Sequence, residues 1–578
     1  MYVFRDGRRR VSGRELLHAL IAELRQLPAN AAGDHLIPAL IRAGELESGT
    51  ADSLEASAEC LTKTASATDA IARAFVRRHP LANREQLIAT LAALEVPATL
   101  WNSPLEGFAY YGLHPRSYAD LADALPAPGQ VAVIGIRSIG CTLSAVVLAA
   151  LRAREVFAER ISVRPAGHPF DRKTQLSPEQ RQWLTKFQSS SQYFICDEGP
   201  GLSGSSFLST AEALVEAGAD IDAAGIHFLC SRSVEPELLR ARDGARRWGR
   251  FGARVISFLH HLEEPGQWIG GGDWRSHPLI VNGHGRGAHQ PAVWTHMERA
   301  KFLSRDGRRL YKFEGFGHYG EAAQHNGELL AEHKFAPRPL RRSHNGFACY
   351  EFVKGRHASA TELSESWLRR FAEYCDLRQK NFPAPHVDGN VDPEMTVPGM
   401  CAANLREAFS CEADFFSLLP LERPVLSDSR MMPHEWLITD SGSLVKVDGA
   451  SHGDDHFFPG PCDIAWDLAG LTVEWGLPPH ATDFMCNEYR RLSGDSPAAR
   501  LPGYILAYSL FRTGYCQMAA EALAGTPEAP GLEAAHASYR ELATRQIDGL
   551  KQFARHSIPI DRGSRARQEK ATGGSPLL

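Results

Sequence analysis

Hydrophobic and polar positions follow two different rhythms along this chain, and the change of rhythm divides it. Over the first hundred residues apolar side chains recur every three or four positions, as in Leu16, Leu17, Leu20, Ile21 and Leu24 and again in Leu87, Ile88, Leu91 and Leu94. That spacing lays one apolar stripe along a helix, so residues 1–104 are expected to be helical, and they carry no candidate chemistry. At Gly129 the pattern changes: VAVIGI, a glycine-containing turn and LSAVVLAAL read as strand, loop and helix. SQYFICDE, a glycine-serine loop, FLSTAEALVEAGA and AAGIHFLCS repeat the alternation. Strands alternating with helices predict an α/β domain over residues 105–265, built on a parallel sheet with ligands at the carboxyl ends of its strands.

Residues 266–290 contain GQWIGGGDW and NGHGRGAHQ, a glycine-dense passage read as a linker in preference to an ordered ligand loop. ERAKFLS and RRLYKFEGFG then flank an RDG turn as a hairpin. Helices dominate from Glu362 onward, interrupted by the short strands WLIT and LVKVD with Asp440-Ser441-Gly442-Ser443 between them. Residues 291–560 thus read as a second domain. Residues 561–578 lack an apolar stripe and read as a disordered tail. No internal repeat is visible.

Composition narrows the classes. A chain of 578 residues has room for two large cores, and 43% apolar with 23% charged residues is globular. A net charge of -5 gives no reason to expect nucleic acid as a partner. The longest apolar runs, 131–136 and 143–151, fall short of the roughly 18 residues that span a bilayer, so no membrane segment is expected. The basic start leads into an amphipathic helix instead of an apolar signal core, which points to a cytoplasmic protein. Eleven cysteines without a CxxC pair, several inside strand patterns, read as reduced buried thiols. Oligomeric state is left open.

The first candidate site is YFICDEGPGLSGSSF, in which an apolar strand runs into two acids and then a small-residue loop that opens a helix. Acids at a strand end can hold sugar hydroxyls, while loop amides and a helix N-terminus suit a phosphate. The segment resembles the phosphoribosyl-pyrophosphate motif of the phosphoribosyltransferase family. The resemblance implies that Asp197 and Glu198 hold the ribose hydroxyls and that Ser203, Gly204, Ser205 and Ser206 cradle the 5-phosphate. The turn is longer than the family's usual one, and Pro200 removes an amide donor. Upstream, GIRSIG follows a strand where the family places its pyrophosphate loop, so Arg137, Ser138 and Gly140 are candidate pyrophosphate ligands. Arg164, His168, Arg172 and Lys173, between the two loops, are candidates for a closing flap.

The second candidate site spans the hairpin and the segment VLSDSRMMPHEWLITDSGSLVKVDGASHGDDHFFPGPCDIAWDLAG. Its order resembles the aminoglycoside-phosphotransferase family and its choline and homoserine kinase relatives: catalytic loop, short hairpin, metal-binding aspartate, then an Asp-Leu-Ala helix. The resemblance implies a bilobal, protein-kinase-like α+β domain. In it Lys312 would reach the ATP phosphates, Glu328 would orient that lysine, and Glu351 and Val353 would offer backbone groups to adenine. Asp428 would be the base or hydroxyl-orienting carboxylate, Asp448 would hold magnesium, and Asp467 would brace the catalytic loop. Leu426-Ser427 replaces the family's His-Gly, and Pro433, His434 or Glu435 stands where it has a metal-binding asparagine. A hard cation favours the Glu435 carboxylate among these three. The run His452, Asp454, Asp455, His456 reads as a solvated loop in preference to a transition-metal site.

These readings combine into a bifunctional transferase: phosphoribosyl transfer or its reversal in the first half, and ATP-dependent phosphorylation of a small-molecule hydroxyl in the second, with Mg2+ as cofactor. The alternative is a regulatory nucleotide-sensing protein whose kinase-like half binds without turnover.

Overall fold

The computed structural model describes residues 1–4, 7–126, 129–187, 191–219, 225–256, 266–277, 291–342, 345–384, 396–453, 457 and 459–557. The NGHGRGAHQ passage, Asp454, Asp455, His456 and the tail at 561–578 lie outside the described residues.

The expected parallel sheet is present. Its five strands run in the order Ala158–Val163, Val131–Ile136, Gln192–Cys196, Ile226–Cys230, Gly252–Val255, every neighbouring pair parallel. All six residues of Val131–Ile136 are buried, which is why VAVIGI shows no alternation: both faces of this strand are covered. The helix Ile139–Ala153 doubles back so closely that a β-carbon on Gly140 would meet the Cys196 carbonyl oxygen at 2.7 Å.

The N-terminal helices pack on this sheet instead of standing apart. Ser12 caps Gly13–Gln26 and Ser57 caps Ala58–Arg77, each accepting a backbone N–H. One apolar core joins Leu16, Leu20 and Phe75 of these helices to Val131 and Phe194 of the sheet, and continues to Phe302 and Phe313 of the second half. Ile134, Ile195, Phe207 and Trp248 fill the opposite face of the sheet.

The second half opens with an antiparallel sheet in the order Pro339–Arg342, Phe347–Glu351, Arg309–Phe313, Lys301–Ser304, Gly266–Trp268. The linker reading of residues 266–290 is thereby corrected in its first part. Gly266–Trp268 is an edge strand, because Trp268 pairs with Phe302 and its ring sits 5.2 Å from the Phe302 ring. The expected hairpin Trp436–Thr439 and Leu444–Lys446 forms around its polar turn, and Gly355–His357 adds a third strand. Around it stand the helices Glu365–Asn381, Ala465–Glu474, Pro479–Ser493, Leu501–Ala522 and Ala529–Ser557. The chain start is pinned to this helical part, with Asn404 accepting from the Tyr2 N–H at 2.9 Å and Val3 buried in its core. None of the eleven cysteines is in a disulfide, and ten are buried. Among the described residues no helix is long and apolar enough to cross a membrane.

Candidate functional site

Lys312 lies on the central strand of the antiparallel sheet, and only 2% of it is exposed. Its Nζ is 2.9 Å from Asp448 Oδ1, 3.2 Å from Glu314 Oε1 and 2.9 Å from Ser451 Oγ. Lys301, opposite it on the neighbouring strand, reaches Asp448 Oδ2 at 2.8 Å. Asp448 follows the strand Leu444–Lys446 and turns left-handed at φ 63°, a conformation that aspartate tolerates better than most residues. Burial works to raise the Asp448 pKa, but Lys301 and Lys312 overcome it and hold the carboxyl well below the usual range.

Glu328 does not orient Lys312. Its carboxylate accepts from Gln324 one turn earlier at 2.9 Å, and the acids beside Lys312 are Glu314 and Asp448. The helix His318–Glu332 turns Asn326 toward the Asp448 loop instead, its Nδ2 reaching the Ala450 carbonyl at 3.1 Å. Glu351 and Val353, at the end of the strand Phe347–Glu351, line the same 420 Å³ cavity as Lys312, Asp428, Glu435 and Asp448.

Asp467 braces the catalytic loop as the resemblance implied, its two oxygens accepting the Asp428 and Ser429 N–H groups at 2.9 Å each. The Asp428 side chain is wholly enclosed. Oδ1 meets His452 Nδ1 at 2.8 Å, while Oδ2 accepts from the Tyr374 hydroxyl and faces Lys446 Nζ at 3.5 Å and Arg378 Nη1 at 3.8 Å. Burial opposes its charge, yet Lys446 and His452 push its pKa far down, so it stays ionised. The sequence placed Asp428 as a base acting directly on substrate; here both its oxygens are already engaged.

His452 is the site residue that sequence reasoning misplaced. Four residues after Asp448, it belongs with Asp448 and Glu435, whose ligand atoms and its own all lie within 4.8 Å of one another. Of the three residues left open at the asparagine position, Glu435 joins this group and its carboxylate is 3.2 Å from Lys446 Nζ. His434 stacks beside Trp274 at 6.0 Å, and burial lowers its pKa to about 4. Pro433 starts the short turn that carries both. Two carboxylates and an imidazole at this spacing fit a divalent cation.

In the first half, Asp197 and Glu198 stand at the end of Gln192–Cys196, partly buried. Burial raises the pKa of Asp197 to about 7 and that of Glu198 well above the usual range, the latter helped by Glu106 and Asp197. Gly204 turns left-handed at φ 68°, and the hydroxyls of Ser203 and Ser205 both donate to the Pro169 carbonyl, at 2.8 and 2.7 Å, with Ser206 in the first turn of the following helix. The loop between the sites therefore reaches this cradle through Pro169. Lys173 is exposed and paired with Asp171, His168 accepts the Phe170 N–H, and Arg172 acts electrostatically on Asp197.

The expected pyrophosphate loop is occupied from within. Arg137 Nη1 lies 3.0 Å from Asp52 Oδ1, and Arg164 forks onto both Asp52 oxygens. Ser48 accepts the Ser138 N–H at 3.1 Å and an Arg164 N–H at 3.2 Å. Ser48 and Asp52 belong to the helix Ile37–Asp52, so the expectation that residues 1–104 carry no chemistry is corrected. The available signal was a set of acids, Glu45, Glu47 and Asp52, in an otherwise apolar and small-residue stretch. Gly140 acts by letting helix and strand approach.

Comparisons with known proteins place only the second half. No known protein family and no curated protein matches the chain. Among solved structures, choline kinase LicA from Streptococcus pneumoniae is similar at 14% identity over 47% of this chain and 94% of its own, with a TM-score of 0.30. A choline/ethanolamine kinase family protein from Mesorhizobium loti is similar at 15% identity over 48% of this chain and 94% of its own, with a TM-score of 0.31. Spectinomycin phosphotransferase APH(9)-Ia is similar at 11% identity over 45% of this chain and 91% of its own, with a TM-score of 0.28. Likeness this distant speaks to part of the fold alone, and what the cavity does is read from its own side chains.

Proposed function

We propose that the second half is an ATP-dependent phosphotransferase that acts on a small-molecule hydroxyl. The observation that carries this reading is the contact of Lys312 with Asp448 in a cavity that Glu351, Val353 and Glu435 also line. Lys312 and Lys301 supply the positive charge that the β- and γ-phosphates need, and the Glu351–Val353 edge offers backbone groups to adenine. Asp448, Glu435 and His452 would hold a divalent cation. Mg2+ is the ion expected of two carboxylates beside phosphate, while the imidazole also suits Mn2+. The cation supplies charge neutralisation at the transferring phosphoryl group. Positioning and electrostatics dominate this chemistry, so an Asp428 that orients His452 from behind is compatible with turnover.

Thermal shift with ATP, with and without Mg2+ or Mn2+, tests the reading: metal-dependent stabilisation is expected, and Lys312→Met should remove it. Release of ADP across a panel of hydroxyl compounds then tests turnover. The enclosure of Asp428 favours a second reading, regulatory nucleotide binding without transfer. ATP binding with no ADP release from any acceptor would select it.

For the first half we propose a ribose-phosphate site, with Asp197 and Glu198 on the sugar hydroxyls and Ser203, Gly204, Ser205 and Ser206 at the 5-phosphate. Phosphoribosyl pyrophosphate is the ligand implied by the motif, and the Asp52 carboxylate stands against its pyrophosphate end by holding Arg137 and Arg164. Equilibrium dialysis against phosphoribosyl pyrophosphate and ribose 5-phosphate separates the cases. Binding of neither would end the proposal.

A further inference from the structure

The end of the cavity away from Lys312 is an aromatic enclosure whose charges are already matched. Trp294 packs its ring 5.3 Å from Phe457 and 5.2 Å from Tyr515, and Phe457 and Tyr515 are 5.4 Å apart. All three line the cavity, with Phe511 and Tyr539 beyond them. Trp294 is 2% exposed, and its Nε1–H is buried with no hydrogen-bond acceptor among the described residues. A buried donor left unmet beside open space asks for an acceptor on whatever fills that space.

The charge at this end is carried by Arg512 and Glu474. The Arg512 guanidinium lies 5.1 Å from the Tyr515 ring and 5.0 Å from the Tyr539 ring, so a cation already occupies these π faces. Its Nε is 3.4 Å from Glu474 Oε1. Glu474 also accepts the Tyr508 hydroxyl at 2.7 Å and the Tyr539 hydroxyl at 2.9 and 2.8 Å. Neither carboxylate oxygen is left to hold an ammonium group, and the arginine is neutralised, leaving no net charge to draw an anion. What remains is flat apolar surface and one unmet N–H donor.

We infer that the phosphoryl acceptor of this cavity is an uncharged, planar heteroaromatic alcohol of the nucleoside class, and not a cationic alcohol. Its ring lies against the Trp294, Phe457 and Tyr515 enclosure, a ring nitrogen or carbonyl accepts from Trp294 Nε1–H, and its hydroxyl extends toward Asp448 and Glu435. This inference rests on the phosphotransferase reading for the identity of the reacting group, while the binding chemistry stands on the enclosure itself.

Calorimetric titration of the full chain, saturated with Mn2+ and ADP, tests it with uridine as the uncharged probe and choline as the cationic one. Saturation with ADP keeps uridine out of the adenine position. Uridine is expected to bind and choline to give no heat at tenfold higher concentration. Trp294→Phe, which keeps the ring and removes the donor, should weaken uridine about fivefold, in line with one net hydrogen bond, and leave ADP affinity unchanged. Choline binding in preference to uridine overturns the inference, as does ADP binding without any uridine binding; both leave the phosphotransferase reading standing. Failure of ADP itself to bind overturns the phosphotransferase reading, and the acceptor assignment falls with it.

Discussion

His452 Nδ1 stands 2.8 Å from Asp428 Oδ1, and this contact fixes which ring nitrogen faces the other acids. With Nδ1–H given to Asp428, the lone pair is on Nε2, available to a cation shared with Glu435 and Asp448. A carboxylate behind a ligating imidazole holds its tautomer and raises its basicity. Asp428→Asn should therefore weaken Mn2+ binding about 10–100-fold, read by paramagnetic resonance titration of free Mn2+. An unchanged affinity would place His452 outside the cation site.

Asp52 should act as an internal stand-in for an oxyanion. Substituting Asp52→Asn releases Arg137 and Arg164 from their shared carboxylate. Inorganic pyrophosphate is expected to bind and stabilise this variant more than the parent protein, by thermal shift, while the variant without ligand melts a few degrees lower. The same Tm response to pyrophosphate in both proteins would show that the clamp does not govern this loop.

Asp197 gives stability a definite pH dependence. Burial raises its pKa to about 7, above its unfolded value of 3.8. Below the unfolded value both states keep the proton and the group contributes nothing. As pH climbs to about 7 the unfolded state releases the proton first, so the folded state loses relative stability, and above that the loss is constant. Asp197→Asn should therefore raise Tm at pH 8 and leave it unchanged near pH 4. A uniform shift across the range would assign the effect to packing.

Gly140→Ala should destabilise the protein by roughly 1–3 kcal/mol, because the new β-carbon meets backbone that cannot swing aside. Chemical denaturation measures it. A variant of parental stability would mean that the Ile139–Ala153 helix can move off the Cys196 strand.

The parallel sheet, the hairpin turn at Asp440–Ser443 and the brace from Asp467 were legible in the chain. Each depends on periodicity, on turn chemistry or on the order of residues within one segment, and local backbone preferences carry such signals. The pairing of Lys312 with Asp448 was only half visible: both residues were marked, but their contact and the role of Glu314 were not. Arg137 and Asp52 are 85 positions apart, Lys312 and Ser451 139 apart, and Tyr2 and Asn404 402 apart. Sequence by itself determined which elements form and which residue types are available for chemistry. Tertiary packing decided that Asp52 fills the arginine fork, that Asp428 backs His452, and that Glu474 and Arg512 cancel inside an aromatic wall. Such pairings follow from desolvation, since a charge buried by distant elements must find its partner among whatever those elements bring beside it.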